Sequence, residues 1–158
     1  FKKFFSQQDV ARSFVANYLP PEIASLFDLD KLIITGESFV DDDLQVHHSD
    51  ILYRVSLQEG SEGYVYLLFE HKSYPEKWVS FQLLRYMMRI WEQQRKQKEK
   101  LRPIFPMVIY HGEKKWPYPK DFAALIAELP EEMRPYLPDY SYWVCDLTQY
   151  RDEEIIGA

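Results

Sequence analysis

Residues 49–73 read SDILYRVSLQEGSEGYVYLLFEHKS, and the rest of the predicted architecture is built around them. Two runs rich in β-branched and aromatic residues flank a short loop containing Gly60, which predicts a β-hairpin. If the loop is symmetric about Gly60, Asp50 lies opposite Glu70 across the antiparallel pair. Like charges in opposed positions destabilise two strands, so these acids need a cation between them. A divalent metal and Lys72, which shares a strand face with Glu70, would both serve.

Composition indicates one globular domain spanning residues 1–158, with a hydrophobic content of 46% and an aromatic content of 16%. The single cysteine, Cys145, excludes an internal disulfide, is typical of a cytoplasmic protein and is expected to be a small buried hydrophobe. No apolar run approaches the roughly 18 residues needed to cross a bilayer, so no membrane partner is expected. The abrupt start at Phe1 leads us to expect a piece of a longer chain.

Periodicity and helix-breaking residues predict the remaining elements. Helices are predicted over 7–18, 22–27, 77–100 and 121–129, and further strands over 31–40, 103–110 and 141–147. Ser6 is the expected cap of the first helix, and Asp121 is expected near the start of the last helix as a cap or a dipole partner. The three acids at 41–43 lack the spacing of a calcium loop and are interpreted as a solvated turn. An antiparallel hairpin followed by strand–helix–strand predicts an α/β fold, a mixed sheet with helices packed on it.

The formal net charge of −6 argues against a broad nucleic-acid-binding surface, because affinity for a polyanion comes from clustered Lys and Arg. The net charge does not exclude a local basic patch. Arg85 and Arg89 lie on the polar stripe of the long helix, where they either contact DNA phosphates or form ion pairs with Glu92. The basic run 95–102 is interpreted as a solvated helix end in preference to a DNA-backbone patch, because the helix dipole alone favours cations there.

Asp50, Glu70 and Lys72 are the candidate catalytic residues. Mg²⁺ prefers hard oxygen ligands, and Asp50 and Glu70 could hold it together with the backbone carbonyl of His71. Lys72 would orient an attacking water or stabilise developing charge on a phosphate, and the sequence leaves both roles open. Taken alone the pattern is weak, because Glu70 and Lys72 also suit exposed strand ends and Asp50 also suits a capping acid.

The histidines are expected to be structural or surface residues. Neighbours on a strand point to opposite faces, so of His47 and His48 only His48 can share a face with Asp50. His111, at the end of a buried strand, is interpreted as a turn residue.

Several blocks of sequence, in this order, are similar to the bacterial recombination-promoting nuclease family, which is also described as transposases. The blocks are SFVDDDL (38–44), SDILY (49–53), LLFEHKS (67–73), LLRYM (83–87) and VIYHGE (108–113). The hairpin followed by a helix resembles the core of PD-(D/E)XK nucleases. The resemblance extends from Phe1 to about Leu147.

The resemblance implies a restriction-endonuclease-like αβββαβ core and Mg²⁺-dependent hydrolysis of DNA phosphodiester bonds, with Mn²⁺ as a possible substitute. It implies a link to DNA recombination or element mobility, and a homodimer where both strands are cut. Asp50 and Glu70 match the metal-binding acids, and Lys72 matches the third motif position. Gln82 lies where related nucleases often have a helix residue facing the site.

One departure from the family pattern favours a different function. The acid often found in the first helix is not evident, since Ser13 and Ala16 occupy the expected positions. The alternative is therefore a catalytically impaired module that keeps the nuclease fold and binds DNA or protein. A third possibility is an ordinary α/β interaction domain in which Glu70 and Lys72 are surface residues.

Overall fold

The computed structural model describes residues 2–45, 48–70 and 76–147, with the backbone but not the side chain of Glu70. Among them, the helices are α1 (Lys2–Phe5), α2 (Gln8–Tyr18), α3 (Pro21–Ala24) and α4 (Val79–Lys96). The strands are β1 (Phe27–Ile34), β2 (His48–Leu57), β3 (Glu62–Glu70), β4 (Ile104–Tyr110) and β5 (Trp143–Asp146). Short 3₁₀ helices span Asp42–Leu44, Phe122–Leu125 and Glu131–Tyr136.

The strands form one mixed sheet in the order β1-β2-β3-β4-β5. Strands β1, β2 and β3 pair antiparallel, whereas β3, β4 and β5 pair parallel. Parallel neighbours need a crossover, and α4 supplies it between β3 and β4. The α/β class and the restriction-endonuclease-like αβββαβ order predicted from the sequence are confirmed.

Helices cover both faces of the sheet. The odd-numbered residues of β2 and β3, such as Tyr53 and Leu67, pack in one core with α2. The even-numbered residues, such as Leu52 and Leu68, pack in a second core with α4. Burial on both faces explains the nearly unbroken apolar run in the central strands. No helix in the described part of the chain is long and apolar enough to span a membrane.

The hairpin loop is centred one residue earlier than expected. Leu57 donates its backbone N–H to the carbonyl of Ser61 at 2.7 Å, which closes a three-residue loop around Glu59. Gly60 is the last residue of that loop, with φ of 104°. Three-residue hairpin loops commonly place glycine at this left-handed position, and this explains why Gly60 is not the centre of symmetry.

The register changes accordingly. Asp50 pairs with Leu68, and His48 pairs with Glu70, so the predicted opposition of Asp50 and Glu70 is wrong. The shift is by two residues, and an even shift leaves every side chain on its face. Positions 50 and 70 are therefore diagonal neighbours on the face that α4 covers. Residues in diagonal positions on neighbouring antiparallel strands are typically about 7–8 Å apart.

Some predicted boundaries are also wrong. β1 begins at Phe27 and ends before Gly36, because the alternation of acids and apolar residues after Phe27 is itself a strand pattern. Ser6 donates its hydroxyl to a carbonyl in α1 and does not cap α2. The last predicted helix is only the 3₁₀ turn Phe122–Leu125, since Asp121 forms a bridge with Ser141 in place of a helix cap.

Candidate functional site

Asp50 is a fully buried carboxylate near the beginning of β2. Its Oδ2 atom accepts hydrogen bonds from the Tyr66 hydroxyl at 2.6 Å and from the Phe39 backbone N–H at 2.7 Å. Its Oδ1 atom accepts one from the Ser38 hydroxyl. Burying a charge is costly unless it is hydrogen-bonded, and these donors compensate it. A carboxylate has about four lone-pair positions, so Oδ1 keeps capacity for one further ligand.

Tyr66 remains a hydrogen-bond donor over the whole ordinary pH range. Burial raises the pKa of its hydroxyl well above the usual value, and the negative charge of Asp50 together with the hydrogen bond to it raises the pKa further. The direction of the hydrogen bond is thereby fixed, with Tyr66 donating and Asp50 accepting.

The end of the sheet beside Asp50 carries several polar residues. On β2 and β3 His48 pairs with Glu70, and on β4 and β5 Tyr110 pairs with Asp146. The last pair between β3 and β4 is Phe69 with Ile109, so all four polar residues lie at the same end of the sheet. Asp50 is the next residue of β2 on the same face. The carboxyl ends of the parallel strands lie at this end, where open α/β sheets place their ligands.

The structure describes only part of the predicted metal site. Asp50 is described completely and Glu70 by its backbone, whereas His71 and Lys72 lie outside the described residues. Among the residues whose side chains are described, no three His, Cys, Asp or Glu side chains group closely enough to hold a metal ion. Of the two predicted acid ligands, Asp50 and Glu70, only Asp50 has a described side chain.

Gln82 lies near the beginning of α4 and is half buried. Its Oε1 atom is inaccessible to solvent and has no hydrogen-bond partner among the described residues. One turn later Tyr86 packs against Tyr66, with 6.2 Å between the ring centroids. Gln82 therefore lies about 6 Å farther along the helix, toward the polar end of the sheet. Buried acceptors are almost always satisfied, so this atom indicates a donor or ligand outside the described residues.

Arg85 and Arg89 hold the loop that covers Asp50. Arg85 Nη1 lies 2.7 Å from Asp41 Oδ2, Arg89 forms a second ion pair with Asp41, and Arg89 Nη1 donates to the Phe39 carbonyl at 2.7 Å. Residues 38–41, which we call the strap, are thus fixed to Asp50 at one end and to α4 at the other.

These contacts correct two predictions. The solvated-turn interpretation is right for the exposed Asp42 and Asp43 but wrong for Asp41, whose side chain is only 14% exposed. Burial acts to raise the pKa of the Asp41 carboxyl, but the hydrogen bonds and charges of the two arginines outweigh it and lower the pKa overall. Pairing of those arginines with Glu92 is wrong, since Glu92 pairs with Arg95.

The histidine predictions are confirmed in part. His48 is buried and, as parity predicts, shares the face of Asp50. His111 is exposed after the end of β4, and His47 lies outside the described residues. Cys145 is buried, as expected.

Sequence reasoning missed the residues that position Asp50. Tyr66 could have been found, because its even number on β3 places it on the same face as Asp50. Ser38 and Asp41 carry no such signal, since they lie in an irregular loop. Their contacts with β2 and α4 are tertiary.

Residues 1–158 match the model of the family described as "Putative transposase, YhgA-like". The chain is 36% identical over 159 residues to "Recombination-promoting nuclease RpnD" of Escherichia coli O157:H7, covering 99% of this chain and 60% of the relative. It is 34% identical over 157 residues to "Recombination-promoting nuclease RpnA" of Escherichia coli strain K12, covering 99% and 53%.

A further relative carries a different name. The chain is 31% identical over 157 residues to "Inactive recombination-promoting nuclease-like protein RpnE" of Escherichia coli strain K12, covering 99% of this chain and 52% of the relative. No solved structure matches the chain. The chain spans between about half and three-fifths of the length of these relatives. Its full-length match to the family model shows that the chain belongs to the YhgA-like transposase family, as the sequence blocks predicted.

Proposed function

We propose that this chain is a nuclease domain that hydrolyses DNA phosphodiester bonds with a divalent metal, Mg²⁺ or Mn²⁺, in the service of recombination. The observation that carries the proposal is the buried Asp50 carboxylate, on the same sheet face as position 70 and beside the carboxyl ends of the parallel strands. The relatives with 36% and 34% identity are both named recombination-promoting nucleases, which supports nuclease activity linked to recombination.

Asp50 and Glu70 would hold the metal, with the His71 carbonyl as a further ligand. Two features of Asp50 and Gln82 fit such an ion. Asp50 Oδ1 has capacity for another ligand, and the Oε1 atom of Gln82 is buried without a partner among the described residues. When bound, the metal lowers the pKa of a water and stabilises charge on the phosphate.

The residues of the chain have separate tasks in this proposal. Tyr66, Phe39 and Ser38 fix the orientation of the Asp50 carboxylate, as partners of metal ligands commonly do. Gln82 accepts a hydrogen bond from the attacking water and so directs its lone pair toward phosphorus. Lys72 would hold a proton and place its positive charge beside the scissile phosphate.

The beginning of α4 lies at the polar end of the sheet, where the helix dipole favours an anion. The first turn of α4 has no acidic residue. Glu76, just before the helix, accepts a hydrogen bond from the Trp78 backbone N–H at 3.3 Å, so one carboxylate already lies at this helix end.

The second candidate is a catalytically impaired module that binds DNA or protein. One relative with 31% identity over the same span is named inactive. In addition, protein donors alone satisfy Asp50 in the described structure, so the fold does not require a metal to compensate its charge.

The experiment is nicking of supercoiled plasmid DNA with Mg²⁺ and with EDTA. The wild-type protein is expected to nick only with the metal, and Asp50→Asn to lower the rate by about 100-fold or more. Asp30→Asn, a matched change of an exposed acid, should leave the rate unchanged. Nicking that is equal in Asp50→Asn and wild type would refute the site, and absence of nicking by wild type would favour the impaired module.

A further inference from the structure

A cleft lies along the outer edge of β5, the last strand of the sheet. It encloses about 290 Å³. The lining includes Tyr18, Lys115, Trp116, Lys120, Trp143 and Asp146. Two tryptophans and two lysines thus line one small cavity on a chain whose net charge is −6.

The tryptophans are fixed walls of this cleft. Trp143 donates its Nε1–H to the Tyr18 carbonyl at 3.0 Å, and Trp116 donates its Nε1–H to the Tyr142 hydroxyl at 3.1 Å. The backbone N–H of Trp116 also donates to Asp146 at 3.2 Å. Both indole rings are therefore oriented before any ligand binds, which reduces the entropy cost of binding.

The lysines are available to an anion. Lys115 and Lys120 are exposed, and neither forms an ion pair with any residue that the structure describes. Lys120 Nζ lies 5.6 Å from the centroid of the Trp143 ring. By contrast, Arg85 and Arg89, which were candidate phosphate contacts, are both paired with Asp41.

The cleft is aligned with the candidate nuclease site. Asp146, on its wall, pairs with Tyr110 of β4 and lies at the same end of the sheet as Glu70. β5 lies three strands from β2, which is about 14 Å at the usual strand spacing. At the B-form rise of about 3.4 Å, that distance corresponds to about four nucleotides of one strand.

We propose that this cleft binds an unpaired nucleotide of the DNA strand whose phosphate lies at Asp50. The base contacts the Trp116 and Trp143 rings, and the adjoining phosphates contact Lys115 and Lys120, the combination that proteins use for single-stranded nucleic acid. A paired base is stacked in the duplex and does not enter. The inference rests on the proposed function and adds a substrate class, namely DNA with an unpaired nucleotide a few positions from the cut.

The test measures binding by fluorescence anisotropy in EDTA, so that no strand is cut. The probes are a labelled single strand, the same strand with abasic sites, and a duplex of the same length. The proteins are the wild type, the double variant Lys115→Gln/Lys120→Gln, and the control Lys96→Gln/Lys100→Gln at the opposite end of the sheet. The variants change exposed side chains, and their melting temperatures are compared with that of wild type.

The wild-type protein should bind the single strand at least about tenfold more tightly than the abasic strand, because stacking of bases supplies much of the affinity. The cleft variant should bind the single strand more weakly, because the phosphates lose Lys115 and Lys120. Its preference for the single strand over the abasic strand should be lost as well, because the base is no longer held in the cleft. The control should keep both the affinity and the preference. Equal affinity of the wild type for both strands would overturn the proposal, as would equal losses in the two variants. Displacement of the strand by a mononucleotide at comparable concentration would assign the cleft to a free nucleotide and likewise overturn it.

Plasmid nicking with Mg²⁺ separates this inference from the proposed function. If nicking depends on Asp50 but the single-strand preference is absent, the cleft proposal fails and the nuclease stands. If the preference is present and depends on the cleft lysines but nicking is absent, the cleft stands as a nucleotide-binding site and the nuclease proposal fails.

Discussion

Tyr66 donates its hydroxyl hydrogen to Asp50 Oδ2 at 2.6 Å, linking the side chains of two antiparallel strands on one face of the sheet. Both residues are fully buried. In a medium of low polarity such a hydrogen bond is stronger than in water, and its loss leaves a charged acceptor with fewer donors. The orientation of the Asp50 carboxylate, and with it any metal bound there, therefore depends on Tyr66.

Tyr66→Phe should lower the free energy of unfolding by about 1–3 kcal/mol, because a buried carboxylate loses a donor. It should also weaken Mn²⁺ binding about 10- to 100-fold, the usual effect of removing a partner of a metal ligand. Urea unfolding and Mn²⁺ titration measure the two effects. Tyr64→Phe, one pleat earlier on the same strand and only half buried, is the matched control. Equal effects of the two substitutions would contradict a specific role for Tyr66.

Asp41→Asn should destabilise the protein by about 1–2 kcal/mol at neutral pH, because both arginines lose their charged partner. The pKa of Asp41 is lower in the folded chain than in the unfolded chain. Its contribution is thus complete above about pH 4 and is lost as the pH falls through the lowered pKa. The stability difference between wild type and variant, from urea unfolding at several pH values, should shrink only below about pH 4. A difference that stays constant down to pH 2 would show that the ion pairs do not stabilise the strap.

Lys98→Gly should raise the free energy of unfolding by about 0.5–1 kcal/mol. Lys98 follows α4 with φ of 58°, a left-handed conformation that costs a side chain energy and that glycine adopts freely. The hydrogen bonds from Lys98 N to the Arg95 carbonyl and from Glu99 N to the Gln94 carbonyl define a Schellman motif, where glycine is usual.

Lys96→Gly is the matched control, since it changes the same residue type within the last turn of α4. Glycine inside a helix destabilises by about 0.5–1 kcal/mol, so the two substitutions should shift the thermal midpoint in opposite directions. Shifts of the same sign would show that backbone conformation at Lys98 is not strained.

The fold class was predictable because its signals are local. Alternating and continuous apolar runs define the hairpin and the buried strand Ile104–Tyr110, and the long amphipathic helix lies between them. The register was not predictable to the residue, since Gly60 serves both a symmetric loop and the three-residue loop that forms. The register differs by two residues, which keeps each side chain on its predicted face of the sheet. The prediction that Asp50 and position 70 share a face is therefore correct.

The surroundings of the site depend on contacts between distant parts of the chain. Arg89 and Asp41 form an ion pair although they are 48 residues apart in the sequence. No sequence periodicity relates an irregular loop to one face of a helix. The cleft at β5 is similarly hidden, because Trp116 and Trp143 come together only when the loop after β4 folds over the edge strand. Sequence patterns identify which residues share an element, whereas packing decides which elements share a site.

Metal binding by Asp50 and Glu70 is best tested by the position of Mn²⁺ in a crystal of the protein, located by its anomalous scattering. If the two acids hold the metal, one ion is bonded to carboxylate oxygens of both Asp50 and Glu70, at about the 2.0–2.1 Å typical of Mg²⁺ or slightly longer. An ion bound elsewhere, or an Asp50 carboxylate that keeps its protein donors and binds no metal while Mn²⁺ supports DNA cleavage, would contradict metal binding by these two acids.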